Sequence, residues 1–179
     1  MTAPVKVTGR LGRTMLGRVL ILTVTPILGA FALFRTADLR LNTSGSLPVG
    51  LYQVSSRGSY VEFCPDDHGL SARRHYRAQG LCADGATPLL KPVIAKPGDQ
   101  IVLSSAGVTV NGKLLPNTAP LTRDSEGRPL AHWPFGHYTA APGTLWVASS
   151  YDARSYDSRY LGPVFESSIR GRLRPLLTW

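Results

Sequence analysis

Lysine is scarce in this chain. Four occur in 179 residues, Lys6, Lys91, Lys96 and Lys113, although the net charge is +9. Arginine carries most of the positive charge, so any lysine in an apolar setting stands out. Cysteine is limited to Cys64 and Cys82. With no CxxC and no His/Cys ligand spacing, a disulfide-dense scaffold and a zinc site are both excluded, and no metal or cofactor is expected. Charged residues make up 17% of the chain, against about a quarter in an average soluble domain. There is no internal repeat and no long amphipathic helix, which argues against solenoids and helix bundles. Glycine (18) and proline (14) are plentiful and dispersed, the mark of a mainly β, loop-rich fold.

The basic balance fits either nucleic acid or an anionic lipid surface. The arginines are scattered, with Arg10, Arg13 and Arg18 early, Arg73, Arg74 and Arg77 central, and Arg170, Arg172 and Arg174 late. No nucleic-acid motif accompanies them, so nucleic acid is not an expected partner.

A single hydrophobic run exists. Residues 19–34, VLILTVTPILGAFALF, carry no charge, and residues 1–18 carry no acid. If Arg18 snorkels, Met15 and Leu16 extend the run toward the ~20 residues of a spanning helix. Pro26 is tolerable in such a helix. The basic flank predicts a cytoplasmic N-terminus and an exported C-terminal part. A cleaved signal peptide has the same charge order, and Gly29–Ala32 offers small residues for the cut. A retained anchor is the expectation: 1–18 cytoplasmic, 19–35 transmembrane, 39–179 an exported domain. Cys64 and Cys82 are then either a disulfide closing a short loop or two unrelated buried thiols. Export favours the disulfide.

Beyond Arg35 the pattern predicts short strands at Leu51–Val54, Val61–Phe63, Leu89–Ala95, Gln100–Leu103, Val108–Val110, Lys113–Leu115, Thr144–Ala148 and Ile169–Leu177. Asn111-Gly112 between apolar runs predicts a tight hairpin. Residues 65–86, 117–143 and Tyr151–Gly162 read as loops and turns.

Three segments carry possible chemistry. Asn42–Tyr52, NTSGSLPVGLY, places Ser44 and Ser46 ahead of a Pro48/Gly50 turn. A serine needs a neighbouring base to act as a nucleophile. The four histidines, His68, His75, His132 and His137, all lie in polar segments that would not fix an imidazole against it. The other available base is an unprotonated lysine, whose pKa falls when it is buried in apolar surroundings. Lys91 in PLLKPVIA is the one lysine with such a frame. Its ordinary interpretation is an exposed lysine on an edge strand, as that of Ser44–Ser46 is a flexible linker. The third segment, Ser155–Val164, holds Asp157 and Arg159. Two residues apart, they would face the same side of an extended segment as an ion pair. Ser155 is either a turn serine or a donor that orients a lysine amine.

In this order, behind a hydrophobic run, these segments resemble the boxes of the signal peptidase I superfamily of Ser–Lys peptidases. SGSLP at Ser44–Pro48 resembles the nucleophile box. LLKPVIAKPGDQIVL at Leu89–Leu103 resembles the lysine box, and SYDSRYLGPV at Ser155–Val164 the supporting box. The likeness runs from about Asn42 to the C-terminus. NTSGSLPVGLY and the Cys64/Cys82 pair ahead of the lysine box resemble most the TraF-type branch of conjugative-transfer peptidases. Where housekeeping signal peptidases carry a GDNRDNS-like run, this chain has SSYDARSYDSR, and Asp152 and Arg154 fall outside the match.

The resemblance implies a signal-peptidase-like, LexA-like β-fold with one N-terminal transmembrane helix, in the bacterial inner membrane and facing the periplasm. It implies Ser46 as nucleophile, Lys91 as general base and Ser44 as oxyanion hydroxyl. Ser155 would orient Lys91, with Asp157 and Arg159 as a supporting pair. The implied partners are inner-membrane lipid and a precursor protein, either a conjugative pilin to be matured or cyclised or, alternatively, the leader-bearing preproteins of a general type I signal peptidase. A catalytically inactive tethered assembly factor of the same fold is the non-enzymatic alternative.

Overall fold

The computed structural model describes residues 22–29 and 38–179. The described residues fall in two units, divided between Leu39 and Arg40. In the first, residues 22–29 form helix α1. The rest of the predicted membrane run, and the basic segment 1–18, lie outside the described residues. Among those described, no helix is long and apolar enough to cross a membrane.

The second unit is built almost wholly of antiparallel strands, as the alternating patterns predict. A seven-stranded sheet has the order β1-β2-β11-β3-β4-β9-β10. Its strands are β1 (Leu39–Asn42), β2 (Gly50–Val54), β3 (Tyr60–Phe63), β4 (Leu89–Ala95), β9 (Thr144–Val147), β10 (Val164–Phe165) and β11 (Ile169–Thr178). A four-stranded sheet has the order β7-β6-β5-β8. Its strands are β5 (Gln100–Ser104), β6 (Gly107–Val110), β7 (Lys113–Leu114) and β8 (Gly136–Thr139).

Side chains alternate between faces along a strand, and β9 shows how that divides the core. Leu145 and Val147 point into a cluster with Val61, Phe63, Leu89 and Val164. Trp146, between them, points into another cluster with Ala95, Ile101, Leu103 and Val108. The four-stranded sheet therefore covers one face of the large sheet at β4 and β9. A third cluster, Leu47 with Tyr52 and Leu173, pins the loop after β1 against β2 and β11.

Asn111 and Gly112 both take positive φ, 48° and 81°, as a type I′ hairpin requires, and β6 and β7 pair across them. At Gly50 a Cβ would come 2.2 Å from the Leu177 carbonyl oxygen, so only glycine lets β11 approach β2 so closely.

All three predicted loops contain regular structure. Residues 117–143 include β8, which takes its register from β5. Tyr151–Gly162 includes the short helix α3 (Ser158–Leu161), whose N-cap is Asp157 accepting the Arg159 amide. Asp157 and Arg159 thus flank a helix start and do not lie on an extended segment. A cap residue bends the chain so that its carboxylate faces the first-turn amides, and this brings the Arg159 guanidinium back onto it.

The excursion after β3 holds the short helix α2 (Leu70–Arg73). It is closed by a disulfide between Cys64 and Cys82, which are 18 residues apart in sequence.

Candidate active site

Lys91 lies in β4, in the interior of the seven-stranded sheet and opposite Val61 of β3. Strand alternation puts it on the same face as Leu89 and Val93, which pack in one core cluster. It is therefore a core position occupied by an amine, 4% exposed, and not the exposed edge-strand lysine of the ordinary interpretation. Burial lowers its pKa from 10.5 to about 8; the Arg159 charge adds to the fall, while Asp157 and Asp152 oppose it.

Ser46 sits in the loop between β1 and β2 and is 8% exposed. The loop is not a free linker. Next to Ser46, Leu47 is 1% exposed in the third cluster, and the Tyr52 hydroxyl donates to the Pro48 carbonyl at 2.8 Å. Across 45 residues of sequence, Lys91 Nζ lies 2.6 Å from Ser46 Oγ. It donates to Ser155 Oγ at 2.9 Å. Ser46, Lys91 and Ser155 are thus one hydrogen-bonded row, and all three line a cleft of about 490 Å³.

Lys91 has few roles open to it in this row. An ammonium donates to both hydroxyls. A free amine donates to Ser155 and turns its lone pair to the Ser46 proton, as a general base must. With a pKa near 8, about a tenth of the molecules hold the free amine at pH 7.

Ser44 lines the same cleft, but its hydroxyl proton is engaged. It donates to Asn42 Oδ1 at 2.8 Å, so it must turn before it can donate to anything in the cleft.

Asp157 and Arg159 are fully buried and paired. Arg159 Nε donates to Asp157 Oδ1 at 2.8 Å and Nη2 to Oδ2 at 2.9 Å. Such a bidentate fork is the geometry for which arginine is suited. Arg159 also donates to the carbonyls of Ser155 (2.7 Å) and Ala153 (3.0 Å), which fixes the backbone that carries the Ser155 hydroxyl.

Two residues without a predicted role connect these parts. Asn42, 5% exposed, spans the Ser46 loop. Its Nδ2 lies within reach of the carbonyls of Ser44 (3.1 Å) and Pro48 (3.1 Å). Its Oδ1 accepts both the amide and the hydroxyl of Ser44. Ser149 is fully buried. Its hydroxyl donates to the Ser46 carbonyl at 2.6 Å, and its amide donates to Asp157 Oδ2 at 3.1 Å. Asn42 had a sequence signal, as the polar residue just ahead of the serines. Ser149 had none, since its partner is 103 residues away.

Asp152 and Arg154 also line the cleft. Of the histidines, only His75 lines it, and no histidine hydrogen-bonds to Ser46 or Lys91 among the described residues. The same residues contain no cluster of His, Cys, Asp and Glu able to hold a metal.

The family described as signal peptidase, peptidase S26, matches residues 15–179. The chain belongs to this family. Among its relatives is the plasmid transfer protein TraF of Escherichia coli, 39% identical over 150 residues, which cover 80% of this chain and 84% of that protein. The conjugal transfer protein TraF of Agrobacterium fabrum is 33% identical over 160 residues, 84% of this chain and 89% of that one. A solved signal peptidase I from Enterococcus faecalis is 20% identical, with a TM-score of 0.35, covering 67% of this chain and 97% of its own; a likeness of that size carries no argument.

Proposed function

We propose that this chain is a membrane-anchored serine endopeptidase that cuts exported precursor proteins through Ser46 and Lys91. The observation that carries the proposal is the 2.6 Å separation of Lys91 Nζ and Ser46 Oγ, at an amine whose burial lowers its pKa to about 8. A lysine so placed serves as a base near neutral pH, and a serine beside it becomes a nucleophile.

The steps then balance. The free Lys91 amine takes the Ser46 proton as Oγ attacks the carbonyl carbon of the scissile bond. The negative charge moves to the carbonyl oxygen. Ser44, turned away from Asn42, and the Ser46 amide supply donors for it. Collapse breaks the C–N bond, and the leaving amine takes the proton from the Lys91 ammonium. An ester on Ser46 remains. Lys91 then deprotonates an incoming nucleophile, which releases the new product and restores the serine. That nucleophile is water in hydrolysis, or the substrate's own amino group in cyclisation. Ser155 holds the Lys91 amine in line throughout, and the Asp157–Arg159 pair holds the backbone of Ser155.

The TraF relatives are named for plasmid and conjugal transfer, and on that basis the proposed substrate is a pilin subunit of a conjugation apparatus. The anchor rests on the uncharged run at 19–34 and its basic flank, which also support a periplasmic catalytic domain. A disulfide in the domain accords with an oxidising compartment.

Acid quenching during turnover, followed by digestion and mass spectrometry, tests the chemistry. The expected result is substrate acyl mass on the peptide containing Ser46. Acylation only at another serine would refute the assignment.

A further inference from the structure

We propose that the cleft holds a carboxylate subsite, formed by Arg123 and Arg154, so that the preferred substrate carries a carboxylate close to its scissile bond. This rests on the peptidase assignment made above and names the class of substrate.

Four arginines line the cleft: Arg74, Arg123, Arg128 and Arg154. Three acids line it as well, Asp124, Glu126 and Asp152, so four minus three leaves +1 before Lys91 is considered. The charges are not equally available. Asp124 is a hub, its side chain 4% exposed. It accepts from the Tyr76 hydroxyl at 2.7 Å and from Arg128 Nε at 2.6 Å. Arg128 Nη1 also pairs with Glu126 at 3.0 Å. Arg74 lies 3.9 Å from the same Asp124 carboxylate and donates to the Pro129 carbonyl. These contacts join the disulfide-closed excursion to the loop after β7, and they consume two of the four arginines in building a wall.

Arg123 and Arg154 remain. Both are exposed. The Arg123 guanidinium donates to the Gly127 carbonyl at 2.7 Å and is not within ion-pair distance of any described acid. The Arg154 side chain has no hydrogen bond or ion pair to any described residue. Asp152 stands against the Ser44–Ser46 loop, its Oδ1 accepting the Arg154 amide and its Oδ2 lying 3.4 Å from the position of a Cβ on Gly45. A carboxylate entering the cleft is therefore repelled from the nucleophile loop and attracted to two guanidinium forks, whose planar donors suit a carboxylate. It can come from an Asp or Glu side chain or from the free C-terminus of a substrate cut near its end.

The test uses the full-length chain in detergent and a proteome-derived peptide library, with cleavage sites read by mass spectrometry. Peptides that are cut are then resynthesised with Glu, Gln or Lys at the selected position, and with a free or amidated C-terminus. The expected result is a preference for the carboxylate of about tenfold in kcat/KM, the size of one charge-assisted hydrogen bond. The ratio should collapse toward one in the Arg123→Gln/Arg154→Gln double variant and favour Lys in Arg123→Glu/Arg154→Glu. Loss of selectivity on Glu→Gln assigns the carboxylate to a side chain; loss on amidation assigns it to the C-terminus. Cleavage with no carboxylate preference, or a preference unchanged in the double variant, overturns the subsite alone. No cleavage beyond that of Ser46→Ala overturns the peptidase assignment and the subsite with it.

Discussion

The Ser149 hydroxyl donates to the Ser46 carbonyl at 2.6 Å, while the Ser149 amide donates to Asp157. One small buried residue thus ties the Ser46 loop to the buried ion pair that also supports Ser155. Replacing Ser149 by Ala removes the hydroxyl but leaves the amide bond to Asp157. The expected outcome is a fall in kcat of roughly tenfold with KM little changed, since the bond to the Ser46 carbonyl is lost along with those the hydroxyl accepts from the Tyr151 and Asp152 amides. Steady-state kinetics on a cleaved peptide check it.

Activity should rise with pH through an apparent pKa near 8, as Lys91 loses its proton. Stability follows the same group. Its folded-state pKa lies below the ordinary 10.5, so between about 8 and 10.5 the unfolded chain binds more protons, and stability rises with pH across that window. Below it both states are protonated, and the cost of burying the ammonium is fully present. Lys91→Met lacks that cost. The variant should melt above wild type at pH 6–7, and the gap should close as pH climbs. Thermal melts across the range measure it.

Asp157→Asn keeps the shape of the helix cap but leaves the Arg159 guanidinium buried without its counter-charge. Breaking a buried pair from one side costs about 3–5 kcal/mol. Chemical denaturation should show a loss of that order, larger than for exposed pairs such as Arg172–Glu166.

Asn42→Ala and Ser44→Ala should differ in a diagnostic way. Ser44→Ala removes a proposed oxyanion donor and should lower kcat, by up to about a hundredfold. Asn42→Ala removes the loop clamp but also frees the Ser44 hydroxyl. Its kcat should fall less, while thermal stability falls more. Kinetics and melts of the two variants, run side by side, read both axes.

Opening the disulfide by Cys64→Ser/Cys82→Ser should cost about 2–4 kcal/mol, as expected for a closed loop of this length. The wall made by Tyr76 and Asp124 should loosen with it. A rise in KM larger than the change in kcat is the expected kinetic signature.

Legibility in the sequence followed the range of the interactions. The span of β4 and the Asn111–Gly112 hairpin were readable because apolar alternation and a left-handed turn are local signals. The β8 strand was not, because Gly136–Thr139 has little pattern of its own and exists by pairing with β5. The start of α3 was misread as extended because its signal is one capping aspartate in a four-residue helix. Within the site, the motif segments around Ser46, Lys91 and Ser155 were visible, but their convergence was not derivable from spacing. Ser149 illustrates the limit, since a hydrogen bond across 103 residues leaves no trace in local composition.

In the proposed mechanism Ser46 and Lys91 act as one unit. Processing of a co-expressed pilin precursor by wild type, Ser46→Ala, Lys91→Ala and the double variant tests it most directly. All three variants should fall to the same residual level, the double no lower than either single, because groups that act together are not additive. Full processing by Lys91→Ala would contradict it.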